Sequence, residues 1–124
     1  MVVSTVSVLR SDDVIVTTLD SIPGYKIVKV YGLVYAIADY RREVRSAIPV
    51  VTQPVDSELI DDLLTDAMDD LVEKAREVGA NAVLGLRIEL RELTVSAGAV
   101  MDIVIVYGTA ALVEPESRRN SSLY

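Results

Sequence analysis

Between Asp56 and Val78 the apolar residues Ile60, Leu63, Leu64, Ala67, Met68, Leu71, Ala75 and Val78 recur at spacings of three and four, which lines them along one side of an α-helix. Glu58, Asp62, Asp66, Asp69, Asp70, Glu73 and Glu77 share the other side. Asp56 suits the N-cap, with Val55 and Ile60 placed for a hydrophobic staple across it. Lys74 and Arg76 come late, where cations favour the negative end of the helix dipole, and Gly79 offers the positive φ that ends a helix. The period then changes. Val83, Leu84, Leu86, Ile88 and Leu90 are interleaved in their later half with Arg87, Glu89 and Arg91, the two-residue alternation of a half-buried strand. Gly85 within it marks a close packing approach.

The other elements are placed around this pair. Val14 to Thr18 is rich in branched residues and predicts a short strand, followed by a turn at Leu19-Asp20-Ser21 and Pro23-Gly24. Tyr25 to Tyr35 predicts a second strand, in which Lys26 and Lys29 break strict alternation through either a bulge or two faces that meet different subunits. Ala36 to Ile48 carries Tyr40, Val44 and Ala47 at helical spacing and predicts a short helix ending before Pro49, with 50–55 as a connector. Arg91-Glu92 either continues the earlier strand toward Leu93-Thr94-Val95 or turns into an extra one. Ser96 to Ala99 is a loop, and Met101 to Val113, apolar except for Asp102 and Gly108-Thr109, predicts a strand buried on both faces. The sum is one α+β domain over 13–113, an antiparallel β-sheet packed by one long α-helix. Residues 1–12 form an extension that is an edge strand or loose, and 114–124 a disordered polar tail.

Composition changes the picture in three ways. A chain of 124 residues that is 51% hydrophobic, with a mean hydropathy of +0.36, has more apolar surface than one small monomer readily hides, which predicts self-association. Cysteine and histidine are both absent, removing disulfides, Cys/His zinc sites and any His-activated nucleophile. The net charge of -7 is concentrated, since eight of the nineteen carboxylates lie between Asp56 and Glu73 with no basic residue among them. No basic stretch suits nucleic acid. The apolar run Ala97 to Val113 is too short and strand-like for a helical span, and no leader is recognisable, so a cytoplasmic protein without membrane contact is expected.

The strongest site candidate is the acidic stripe. Asp62, Asp66, Asp69, Asp70 and Glu73 stand three or four apart, so their carboxylates either converge on one hard divalent cation or form a solvated helix face. Arg41, Arg42 and Arg45 either clasp an anion or pair with that acidic helix. Tyr25, Tyr31, Tyr35 and Tyr107 either line a pocket for a planar ligand or pack in a core or interface. Gly79-Ala80-Asn81 follows a helix, whereas phosphate loops precede one.

Taken together, several segments resemble a known family. Ala67 to Glu89, with its GANAV turn into a strand, is similar to the YbjQ-like proteins, a family of uncharacterised small proteins whose label is heavy-metal binding. Val14-Ile15-Val16-Thr17-Thr18, Ile22-Pro23-Gly24-Tyr25, Tyr31-Gly32-Leu33-Val34 and Val106-Tyr107-Gly108-Thr109-Ala110 match further elements in the right order. Tyr35 departs from the family's frequent glycine. The resemblance implies dodecin-subunit-like β-α-β subunits that assemble into a homo-oligomeric ring, commonly a pentamer. With His and Cys absent a non-enzymatic binding protein is expected, and the resemblance implies a metal ion, here a divalent one, as its ligand. The alternatives are a scaffold that offers the acidic stripe to a basic partner, or a small-ligand carrier with pockets between subunits.

Overall fold

The computed structural model describes residues 8–11, 14–43, 57–96 and 98–116. Strands β1 (Val8–Ser11), β2 (Val14–Thr17) and β3 (Tyr25–Glu43) precede helix α1 (Ser57–Glu77), and β4 (Ala82–Ser96) and β5 (Ala99–Pro115) follow it. The five strands form one sheet in the order β1-β2-β4-β5-β3. As expected, the fold is α+β, with the helix on one face of the sheet.

The core explains why these elements belong together. Leu63, Ala67, Met68, Leu71, Val72 and Ala75 of α1 are buried against Val34 and Ala36 of β3, Val83 and Leu86 of β4, Val104, Val106 and Ala110 of β5, and Val14 and Val16 of β2. On the other face a smaller cluster of Ala82, Leu84, Ala111 and Val113 is covered by Ile22 and Tyr25. The 18–25 turn therefore serves as a second, partial lid.

The turn between α1 and β4 shows why GANAV is a structural signature. Ala80 N–H donates to Ala75 C=O at 3.0 Å and Gly79 N–H to Arg76 C=O at 3.0 Å, the paired bonds of a helix stop, with Gly79 at φ +98°. Asn81 then ties three strands. Its N–H donates to Ala111 C=O at 3.1 Å, and its C=O accepts from Ile15 N–H at 3.0 Å. Its side-chain amide spans Val113 like a piece of strand, with Nδ2 donating to Val113 C=O at 2.9 Å and Oδ1 accepting from Val113 N–H at 2.8 Å.

Several expectations are corrected. Ala36 to Glu43 is not helical but continues β3 as a strand, paired residue for residue with Val106 down to Ala99 of β5. A ladder of regular backbone bonds outweighed a weak helical spacing. Residues 44–56, which include Val44, Arg45, Ala47, Val55 and the expected N-cap Asp56, lie outside the described residues. The sheet is not wholly antiparallel, because β2 runs parallel to β4 at Ala82 and Val83. Val78 is not on the buried helix face; it falls in the turn and is half exposed. Gly85 adopts φ +65° at a break in the β4 register, but the close approach is at Gly108, where an added Cβ would stand 2.7 Å from Val83 Cγ1 and 2.9 Å from Leu84 O.

Of the open alternatives, the Lys26/Lys29 irregularity is a bulge, with register shifts between Ile27 and Lys29 and between Val30 and Gly32. Arg91-Glu92 continues β4 to Ser96. Part of the extension, Val8–Ser11, is an edge strand, and β5 takes in Glu114 and Pro115, while 1–7 and 117–124 lie outside the described residues.

Replacing Asn81 by Ala leaves the Val113 N–H and C=O without their partners. Each such loss costs about 1–3 kcal/mol. Urea unfolding of Asn81→Ala should show a lower midpoint with an unchanged slope.

Candidate functional site

The acidic stripe is a solvated flank whose members are spread along α1. Asp62, Asp66, Asp69, Asp70 and Glu73 are all exposed, as is Asp61. Asp70 pairs with Lys74 at 3.2 Å and Glu73 with Arg76 at 2.8 Å. Exposed pairs of this type contribute about 0–1 kcal/mol each. Among the described residues no group of three His, Cys, Asp or Glu side chains could hold a metal ion. Of the softer donors, Met68 is buried in the core and Met101 half buried on β5.

Lys74 does a second job. Its Nζ donates to Tyr35 C=O at 3.0 Å and lies 5.2 Å from the centroid of the Tyr35 ring, so the helix grips the outer edge of β3. The four tyrosines do not line one pocket. Tyr31 Oη donates to Gly79 C=O at 3.3 Å at the helix end, and Tyr25 packs over the cluster of Ala82, Leu84, Ala111 and Val113. Tyr35 and Tyr107 are cross-strand neighbours on the face away from the helix.

That open face carries the chemistry. Successive rows place Tyr35 beside Tyr107 and Arg87, Ile37 beside Ile105 and Glu89, and Asp39 beside Ile103 and Arg91. Leu33 is 73% exposed and Ile37 52%. The Tyr107 hydroxyl donates to Glu89 Oε2 at 2.8 Å, and Arg91 donates to Glu89 Oε1 at 3.0 Å. The bond from Tyr107 first, and that from Arg91 second, hold the Glu89 carboxyl below its ordinary pKa. The same bond to Glu89, with some burial, pushes the Tyr107 hydroxyl up.

Sequence reasoning missed two features. On the helix side of β4, Ile88 and Leu90 are 46% and 57% exposed, because α1 lies over β3 and β5 and leaves that column bare. Asp102, read in the sequence only as an interruption, is 3% exposed on the same side of β5, in register with Tyr40 and Glu92. Only strand pairing brings those residues together. Of the arginine trio, Arg41 is exposed on the open face, and Arg45 lies outside the described residues.

The pH dependence of the Glu89–Tyr107 bond follows from the two shifts. Glu89 contributes fully above the ordinary glutamate pKa of about 4.3, and this is lost as pH falls through its lowered value. Tyr107 contributes fully below about 10, and this is lost as pH rises through its raised value. In Tyr107→Phe the Glu89 titration, followed by carboxyl NMR, should move up toward the ordinary range.

Comparison with known proteins gives the family. A family profile named YbjQ and described as "Putative heavy-metal-binding" matches residues 14–114. A UPF0145 protein of Saccharolobus solfataricus is 34% identical over 115 residues, covering 87% of this chain and 97% of its own. Another, of Sulfurisphaera tokodaii, is 32% identical over 111 residues, covering 84% and 94%. The crystal structure of a protein of unknown function from the DUF74 family of Pediococcus pentosaceus superposes with a TM-score of 0.60 over 82% of this chain and 98% of that one. At 22% identity that likeness concerns the fold. The metal in the family description does not suit this chain's donors, because soft heavy metals select thiolate and imidazole, and the chain has neither. On the profile match and these relatives, the chain belongs to the YbjQ family of UPF0145 proteins.

Proposed function

We propose that this protein is a non-enzymatic binding scaffold that works as a homo-oligomeric ring, built by joining the uncovered sheet surfaces of its copies. The observation that carries the reading is the amount of large apolar side chain left in water by one chain, with Leu33, Tyr35 and Ile37 on the open face and Ile88 and Leu90 on the helix side all about half exposed or more. Single exposed residues need no explanation, but two groups of them, one on each face of the sheet, do. A pentamer is the size implied by the family likeness.

Catalysis has little to work with here. The chain lacks His and Cys, and in the Glu89–Tyr107 pair each group is pushed away from neutrality, the carboxyl down and the hydroxyl up. A general acid or base at neutral pH needs the opposite shifts. Among the described residues no helix is long and apolar enough to cross a membrane. A soft metal held by side chains of one copy forms no part of the reading.

Native mass spectrometry of untagged protein tests it. A single ring mass, five copies being the favoured count, is the expected result. A bare monomer at micromolar concentration would overturn the proposal.

A further inference from the structure

The ribbon of β3, β5 and β4 has two free edges, and they are not alike. Because Lys74 bonds Tyr35 C=O from outside the ladder, Tyr35 turns its backbone groups away from β5. By strand alternation Leu33, Ile37, Asp39 and Arg41 do the same, and their side chains lie on the open face. Val34, Ala36 and Ala38 then bond to Gly108, Val106 and Val104, which leaves Tyr107, Ile105 and Ile103 to bond Arg87, Glu89 and Arg91 of β4. The outward groups of β4 therefore include those of Ile88 and Leu90, whose side chains lie on the helix side. Among the described residues β2 reaches β4 only at Ala82 and Val83, and no described strand pairs with that edge beyond them.

Edge strands are commonly protected by bulges, lysines or a covering element. On β3 the bulges and Lys26 and Lys29 lie before Leu33, whereas from Leu33 to Glu43 the strand pairs with β5 without a break. Lys74 guards one carbonyl of that stretch.

We infer that the β4 edge of one copy pairs in parallel with the β3 edge of the next copy, head to tail. The inference rests on the oligomeric reading above and adds the contact that makes it. Direction favours it, since β3 and β4 both run antiparallel to β5 and hence in the same sense. Face parity favours it too. In a parallel pair the bonding residues of the two strands sit on opposite faces, and here they are helix-side on β4 and open-side on β3. Both helices therefore end on one face of the extended sheet.

The neighbour's α1, gripping its own β3 edge through Lys74, then lies beside the bare Ile88 and Leu90. On the open face Arg87 and Arg91 of one edge approach the Asp39 side of the other. A two-fold pairing of β3 with β3 would instead set two acidic rows, Asp62, Asp66 and Asp70, side by side. It would also leave β4 uncovered. A head-to-tail contact closes only as a ring or runs on as a filament.

Two variants test the contact. Ile37→Pro removes an outward N–H that bonds nothing in the β3–β5 ladder, and Leu90→Asp sets a carboxylate on the exposed face of β4, against the acidic flank of the neighbour's α1. By sedimentation over a concentration series and native mass spectrometry, each variant alone is expected to be monomeric. Mixed, they should form a 1:1 heterodimer and nothing larger, because one sound edge of each kind remains. Circular dichroism checks the fold, and Asp39→Pro, also outward-facing, replaces Ile37→Pro if that variant unfolds. Variants that keep the wild-type stoichiometry, or a mixture no larger than its parts, would overturn the edge contact alone. A monomeric wild type would bring down the assembly reading and this contact with it.

Discussion

At about 1.5 Å per residue the 21-residue α1 rises about 32 Å, whereas β3, β5 and β4, of 19, 17 and 15 residues, extend about 50–60 Å at about 3.3 Å each. The burial of one helix face on these strands is the contact on which the core depends. Leu71, Ala75, Val104 and Val106 are wholly excluded from water there. Each fully buried branched side chain contributes about 1.5–3 kcal/mol. Yet one helix cannot cover three strands of that length, and the mismatch leaves Ile88 and Leu90 in water on the helix side. The bare surface thus follows from the same geometry that makes the core.

Two polar arrangements hold the helix to the sheet in register. At its C-terminus, Gly79 stops the helix and Asn81 stitches the next strand to Val113. Along its flank, Lys74 bonds the β3 backbone. Both act on backbone groups that would otherwise lack a protein partner, which is why the surface pairs among the carboxylates matter less than their number suggests. The acidic row is exposed along the whole length of α1.

The metal-binding description of the family and the donor chemistry of this chain point in different directions. A carboxylate site needs oxygen ligands brought to one point, whereas these are distributed along an exposed helix and partly engaged by Lys74 and Arg76. Family membership therefore carries the fold to this protein more firmly than it carries a ligand.

The sequence alone determined the elements whose signal is local. The helix from Ser57 to Glu77, its stop at Gly79 and the strands after it could be read from periodicity and one left-handed glycine, because each residue's environment repeats along its own element. The acidic flank could be read too, although whether it formed a site could not. Only the tertiary structure decided that Ala36 to Glu43 is strand, since its helical spacing was weak and its ladder partners on β5 lie more than fifty residues away. The parallel pairing of β2 with β4, the crowding at Gly108 and the burial of Asp102 are likewise products of distant neighbours. So is the bare column of Ile88 and Leu90: alternation shows that a strand has two faces, but which face a single helix reaches depends on where that helix lies across the sheet.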